Sequence, residues 1–304
     1  MRRIAFLVFL VFSVKGITQI QTTSGTLQIF EKFTSKWIDD RTVAVWLPND
    51  YSAKEKYAVL YMHDGQMLFD RQQTWNGQSW EVDETAGKLN AETTSRKFIV
   101  VAIWNNGKKR HLEYFPQKPY EQLTQTQRDT LSQQLNKAGR ITEPFQAYSD
   151  LYLKFLVTEL KPFIDKTFST KKDKNNTFTA GSSMGGLISM YAMCEYPKVF
   201  GGAACLSTHW TGTWTVENNP IPKVFLNYLN SKLAKIKKNK IYFDCGDQTL
   251  DALYPPLQEK VDQLMIENGF TQSNWITQFF PGKDHSEKAW AERLYVPLEF
   301  LLKN

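Results

Sequence analysis

The segment Gly181-Ser182-Ser183-Met184-Gly185-Gly186 carries the strongest chemical signal in the chain. It fits the pattern G-x-S-x-G, with Ser183 at the centre, between a short β-branched and aromatic run and an apolar helical run. A nucleophilic serine on a sharp strand-to-helix turn needs small residues two positions before and two after it, because the backbone doubles back on itself. Gly181 and Gly185 meet that need, and Gly186 allows the following helix to pack closely. Ser182 is out of register and is expected to point into the packing. At the helix N-terminus the Met184 N–H can support a developing oxyanion.

A serine hydroxyl needs a base, and the chain has four histidines: His63, His111, His209 and His285. In the strand–helix arrangement that presents such a serine, the chain order is Ser, acid, His. His209 follows the serine too closely to leave a strand for the acid between them. His285, in Pro281-Gly282-Lys283-Asp284-His285-Ser286, lies past the last predicted strand and meets the requirement; His209 is expected to line the mouth of the site or to pack there. The acid should follow the strand 240–245, where Asp247 and Asp251 both stand; Asp251 is favoured, and Asp244 lies within the strand. A second oxyanion donor is expected from the loop Met62-His63-Asp64-Gly65-Gln66-Met67, from the N–H of Gln66 or of Gly65.

The elements that must position these groups can be read from the pattern of apolar residues. Strands are expected at 26–33, 42–47, 57–62, 97–104, 177–180, 202–206, 240–245 and 275–280. Helices are expected at 80–89, within 122–137, at 150–168 with Ser149 as N-cap, and at 184–196. Three more elements complete the set: helices at 221–236 and 253–268, and one long helix from about 286 to 302. An antiparallel opening hairpin followed by strand–helix units predicts a single α/β domain over 21–304, with a mostly parallel sheet and helices on both faces. The polar stretch 105–148 is too long for an ordinary connection and reads as an insertion over one end of the sheet.

Composition narrows the class further. The 304 residues are 42% hydrophobic and 22% charged, which excludes a disordered chain. Met1-Arg2-Arg3 and the apolar run from Ile4 to Val14 resemble a secretory signal peptide, too short to span a bilayer, so residues 1–20 are expected to be cleaved and the mature chain to be periplasmic or secreted. An uncleaved N-terminal anchor is the alternative. Removal would take Arg2, Arg3 and Lys15 and no acidic residue, halving the net charge of +6. That balance implies no polyanionic partner. The lysine cluster 232–240 has no interleaved aromatics, so nucleic-acid binding is not expected. Cys194, Cys205 and Cys245 lie in apolar segments and read as buried thiols, with a single bridge possible between 194 and 205 or 205 and 245. There is no metal-ligand motif, phosphate loop or dinucleotide fingerprint, so no cofactor and no metal is expected.

Tyr61-Met62-His63-Asp64-Gly65-Gln66, the turn at Gly181–Gly186, the Asp247/Asp251 loop and the Asp284-His285 loop together resemble the esterase family of esterase D, feruloyl esterases, enterochelin esterases and the mycolyltransferase antigens. Trp80-Glu81-Val82-Asp83, Ala102-Ile103-Trp104-Asn105 and Glu113-Tyr114-Phe115-Pro116 are similar too, so the resemblance covers about residues 25–303. It implies an α/β-hydrolase fold and acyl transfer to water by Ser183 and His285. Family members often carry the acid nearer the glycine than Asp251 stands. The expected activity is ester hydrolysis through a Ser-His-Asp triad and an acyl-enzyme. An acyltransferase on the same fold, a siderophore esterase and a catalytically silent binding module are the alternatives. A carbohydrate-linked ester of acyl or feruloyl type is the preferred substrate, because export and Trp75, Trp80, Trp104, Trp210 and Trp214 near the loops both suit it. Lys108-Lys109-Arg110 could meet an anionic substrate.

Overall fold

The computed structural model describes residues 20–142 and 144–303. The predicted leader therefore lies outside the described residues except for Ile20. Eight strands form one sheet: β1 (Thr26–Phe33), β2 (Arg41–Leu47), β3 (Ala58–His63), β4 (Phe98–Ile103), β5 (Thr177–Ser182), β6 (Gly202–Leu206), β7 (Lys240–Cys245) and β8 (Trp275–Phe279). Their order is β1-β2-β4-β3-β5-β6-β7-β8. The β1–β2 and β2–β4 pairs are antiparallel, and every pair from β4 through β3 to β8 is parallel. This is the α/β-hydrolase topology, with the expected N-terminal hairpin.

Strand alternation divides the core into two layers. Val43, Val45, Val59 and Tyr61 face one layer, while Ala44, Trp46, Leu60 and Met62 face the other. The second layer is covered by α1 (Val82–Ala91), α10 (Glu287–Ala291) and α11 (Tyr295–Leu302). Between α1 and α10 in the chain come α2 (Arg110–Tyr114), α3 (Gln117–Glu121), α4 (Gln125–Lys137), α5 (Ser149–Phe155), α6 (Lys161–Thr167), α7 (Met184–Glu195), α8 (Ile221–Ile236) and α9 (Pro255–Glu267). These pack on the first layer through residues such as Tyr114, Leu135, Leu153, Leu187, Phe225 and Val261. No helix among the described residues is long and apolar enough to cross a membrane.

Two helices differ from the sequence reading, each for a local reason. The run predicted over 150–168 is interrupted by a π-helical turn at Leu156–Leu160, just before Pro162, whose ring removes a backbone donor. Ser149 is the first residue of α5 and does not cap it; its Oγ accepts from the Gln117 N–H at 2.9 Å, tying α3 to α5. The last helix breaks into α10 and α11, because Pro297 has no N–H to close a helical bond to the Arg293 carbonyl. Arg293, between the two helices, is buried, with its guanidinium bonded to Asp244 on β7.

The stretch 105–148 folds as α2, α3 and α4 and joins the first core layer through Tyr114, Phe115, Tyr120, Leu131 and Phe145. Thr124 and Gln127 form a reciprocal capping box at the start of α4. A buried ion pair fixes this segment to the sheet: Arg41 on β2 donates through Nη1 and Nη2 to both carboxylate oxygens of Glu113 on α2, at 2.9 and 2.8 Å. Removing either partner would strand the other charge in the core, so the pair holds α2 and the residues it carries in one place.

Candidate active site

Parallel strands in register bring their C-terminal ends to one edge, where the loops carrying the chemistry must meet. Ser182 pairs with Leu206, Leu206 with Asp244, and Cys245 with Phe279. The residues just beyond these positions converge on a cleft of about 400 Å³. Ser183, Met184, Gln66, His209 and His285 all line it.

Ser183 sits at the turn from β5 to α7 with φ 56° and ψ −119°, a conformation a side chain rarely tolerates. The backbone is so tight there that a Cβ on Gly181 would come within 2.7 Å of the Gly185 carbonyl carbon. The Ser183 N–H donates to the Leu206 carbonyl at 2.9 Å, which pins the turn to β6. Met184 opens α7, so its N–H has no acceptor within the helix and is available to the cleft.

Asp251 lies in the 3-10 turn Thr249–Leu253 and is fully buried. Its Oδ1 is 2.6 Å from His285 Nδ1. Its Oδ2 accepts from the Ser207 hydroxyl at 2.6 Å and from the Gly246 N–H at 2.7 Å. Burial pushes the carboxyl up, but the bond and charge of His285, with Ser207 and Gly246, outweigh it and hold the group below the usual aspartate value. The His285 N–H donates to Thr249 Oγ1 at 3.0 Å, and the Asp247 and Gln248 N–H groups both donate to the Lys283 carbonyl at 3.1 Å, so the two loops are laced together. Asp247 makes a different contact: its Oδ1 accepts from the Gly282 N–H at 2.8 Å. With Nδ1 of His285 engaged, Nε2 is the nitrogen left to face a substrate. Among the described residues Ser183 makes no hydrogen bond to His285, although both line the same cleft.

A second layer behind this pair was not legible from the sequence. Ser207, with φ 40°, accepts from Arg293 Nη2 at 2.8 Å and from Trp290 Nε1 at 2.9 Å while donating to Asp251. Arg293 is held in turn by Asp244, through Nε at 3.2 Å and Nη2 at 3.0 Å, and Asp244 also accepts from the Ser207 N–H at 2.9 Å. The in-strand Asp244 thus supports the site from behind. The only signal available in advance was a cluster of polar residues at the ends of β6 and β7, and chain separations of up to 86 residues hide their contact.

The loop after β3 is clamped from the insertion. Asp64, at φ 57°, accepts from Arg110 Nε and Nη2, both at 2.6 Å, and from Asn105 Nδ2 at 2.7 Å. Burial raises the Asp64 carboxyl, yet the Arg110 charge and bonds bring it below its ordinary value. Gly65 has no room for a side chain, since a Cβ would strike the Trp104 ring and lie 2.8 Å from the Ile103 backbone. Gln66 is the second residue of the 3-10 turn Gly65–Met67, so its N–H lacks an acceptor within the turn and is free to serve the cleft. Arg110, singled out for an anionic substrate, has its guanidinium bonded to Asp64, and Lys109 pairs with Asp39.

The other histidines divide between core and cleft. His63 is buried against Tyr152 Oη at 2.8 Å and Thr179 Oγ1 at 3.1 Å, and burial lowers its pKa to about 3. His209 lines the cleft, bonds Tyr254 Oη through Nδ1 at 2.7 Å, and is pushed well below its usual pKa by burial. Of the five tryptophans expected near the loops, Trp75, Trp80 and Trp214 line the cleft. Trp104 packs on Gly65, and Trp210 is buried against Phe243 with Nε1 bonded to Gln258. Trp290, on α10, is the tryptophan that the sequence reading missed; it lines the cleft beside His285 with ring centroids 5.0 Å apart. Ser182 is buried and is among the residues lining the cleft. Cys194, Cys205 and Cys245 are free and buried.

Comparison with known proteins agrees with this architecture. A protein named endo-1,4-beta-xylanase/feruloyl esterase from Xylanibacter ruminicola is 29% identical over 219 residues; the match takes in 68% of this chain but spans only 23% of that protein's length. Among solved structures, a ferulic acid esterase superposes with a TM-score of 0.63 at 18% identity, covering 92% of this chain and 98% of the other. The BES protein from Bacillus cereus superposes with a TM-score of 0.65 at 16% identity, covering 94% and 97%. At those identities the structures establish the fold. The family model described as "Putative esterase" matches residues 35–301, and the chain belongs to that family.

Proposed function

We propose that the chain is an exported carboxylic ester hydrolase that works through an acyl-enzyme on Ser183. The observation that carries this reading is the 2.6 Å contact between His285 Nδ1 and the buried Asp251 carboxylate, at a cleft that also holds Ser183 in its strained turn. The Ser183 hydroxyl attacks the ester carbonyl while His285 Nε2 takes its proton, a contact that tightens once an ester is bound. Asp251 holds the imidazole in the tautomer with Nδ1–H and stabilises its charged form. The N–H groups of Met184 and Gln66 receive the oxyanion. His285 then returns the proton to the departing alcohol, and water activated by the same imidazole releases the acid.

A carbohydrate-linked acyl or feruloyl ester fits the site best. The cleft is walled by Trp75, Trp80, Trp214 and Trp290, which suit a sugar or an aromatic acid, and the Xylanibacter relative carries feruloyl esterase in its name. Export rests on the pattern of residues 1–20, and the N-terminal sequence of the protein recovered outside the cytoplasm is expected to begin near residue 21. The substrate test is a panel of feruloyl, acetyl-sugar, siderophore and short-chain p-nitrophenyl esters. The expected result is the highest kcat/KM on a carbohydrate-linked ester; turnover of the p-nitrophenyl esters alone would remove the carbohydrate assignment.

A further inference from the structure

The cleft has a second wall whose polar groups are not used by the hydrolytic machinery. Arg140 follows α4, and its guanidinium lies over the Trp214 ring, 5.7 Å from the centroid. Trp214 is partly exposed and also faces the rings of His111 and His209, each 6.4 Å away. Arg140, Trp214, His111 and His209 all line the cleft.

Much of the hydrogen-bond capacity of this wall is unspent, although His209 Nδ1 is bonded to Tyr254 Oη. His111 is more than nine-tenths buried, yet among the described residues neither of its ring nitrogens has a hydrogen-bond partner, and Nε2 of His209 has none. Arg140 pairs with no carboxylate among the described residues. Arg110, its neighbour in the cleft, is fully neutralised by Asp64. The cleft's remaining carboxylate, Glu287, opens α10 just after His285 and accepts from Asn76 Nδ2 at 2.8 Å. Burial, and the nearby Arg110 and Arg140, lower the His111 pKa to about 3, so its imidazole is neutral and Arg140 supplies this wall's uncompensated charge. A guanidinium stacked on an indole keeps its in-plane N–H fork available, which is the geometry that receives a carboxylate.

We propose that Arg140, with His111 and Trp214, forms a subsite for a carboxylate carried by the ester substrate, and that this subsite sets substrate preference. The inference rests on the hydrolase reading and sharpens it from a neutral carbohydrate or aromatic ester to one bearing an anion. Two sources share that chemistry: the acyl part, as in the monoester of a dicarboxylic acid, and the alcohol part, as in an ester of a hexuronic acid.

Two matched pairs separate them: p-nitrophenyl monosuccinate against p-nitrophenyl butyrate, and feruloyl glucuronate against feruloyl glucose. In one pair the anionic ester is expected to have a kcat/KM at least about tenfold higher, mostly through KM, as a charged hydrogen bond allows. Arg140→Gln is expected to lower the anionic-to-neutral ratio by about ten- to a hundredfold, Arg140→Lys to restore part of it, and added salt to weaken it. No anionic preference in either pair, or a preference that survives Arg140→Gln, would overturn the subsite. Calorimetric titration with the corresponding non-hydrolysable amides reads the same preference without turnover. Anion-selective binding lost in Arg140→Gln, from a protein that cleaves none of the four esters, would keep the subsite and contradict the hydrolase reading.

Discussion

The two walls of the cleft are built on opposite principles. Behind His285, where the ends of β6 and β7 meet α10, the polar groups are engaged with one another. Asp251 is held by His285, Ser207 and Gly246, Ser207 by Arg293 and Trp290, and Arg293 by Asp244. On the wall carried by the insertion, Arg140 and His111 leave donors and acceptors open to the cleft. A proton-transfer pair must keep one geometry through the reaction, so its neighbours leave it no alternative. A surface that meets a substrate must keep its bonds for the substrate. The buried Arg41–Glu113 pair reconciles the two, because it fixes α2 to the sheet without using the groups that face the cleft.

Substitutions should separate the walls by size and kind of effect. The largest is expected for Asp251→Asn, which keeps the shape of the pair but leaves His285 without its anionic partner. A fall in kcat of about 10⁴-fold is expected, with the circular dichroism spectrum intact. Next comes Arg293→Met, which leaves Asp244 charged and unpaired in the core. About 3–5 kcal/mol of stability should be lost by urea unfolding, beyond any loss of activity. A loss below 1 kcal/mol would mean that the layer behind Asp251 is not rigid.

Acid should then distinguish the walls by pH. His111 and His63 titrate at about 3 in the fold against 6.5 ordinarily, and His209 is also displaced downward. Below pH 6.5 the unfolded chain binds protons that the fold refuses. The stability these histidines contribute is therefore complete above 6.5 and is lost as pH falls towards 3. Each proton steepens the loss by about 1.4 kcal/mol per pH unit. Asp251, whose carboxyl is depressed, contributes above the ordinary aspartate value of 3.8, and that contribution is lost as pH falls through its lower folded value. A urea midpoint that stays flat between pH 6.5 and 4 would contradict the buried neutral histidines. The smallest effect is expected at Arg140, where Arg140→Gln should change unfolding stability by no more than about 0.5 kcal/mol while it alters substrate preference.

How much of this was legible in the sequence depends on how local each signal is. The serine turn is written in six consecutive residues, because its steric demand is local. The parallel sheet could be read from apolar runs, since strands β3 to β7 are almost entirely buried. Chain order singled out His285, and the place of Asp251 near the start of the next helix favoured it over Asp247; the structure puts His285 and Asp251 in contact while Asp247 bonds the backbone of Gly282. The Ser207–Arg293–Asp244 layer was hidden because it depends on which strand ends lie side by side. The breaks at 156–160 and 292–294 were hidden because a single proline perturbs an otherwise good helical pattern. Arg140 belongs to no motif in the sequence, and only the approach of Trp214 gives it a setting.

The most direct test of the central claim is intact-protein mass spectrometry of the full chain after reaction with a fluorophosphonate. The expected result is one adduct per chain, mapped to the peptide containing Ser183. It should be absent in Ser183→Ala and formed at least about a hundredfold more slowly in His285→Gln. No adduct on the folded protein, or an equal rate of labelling in His285→Gln, would contradict a nucleophile activated by the His285–Asp251 pair.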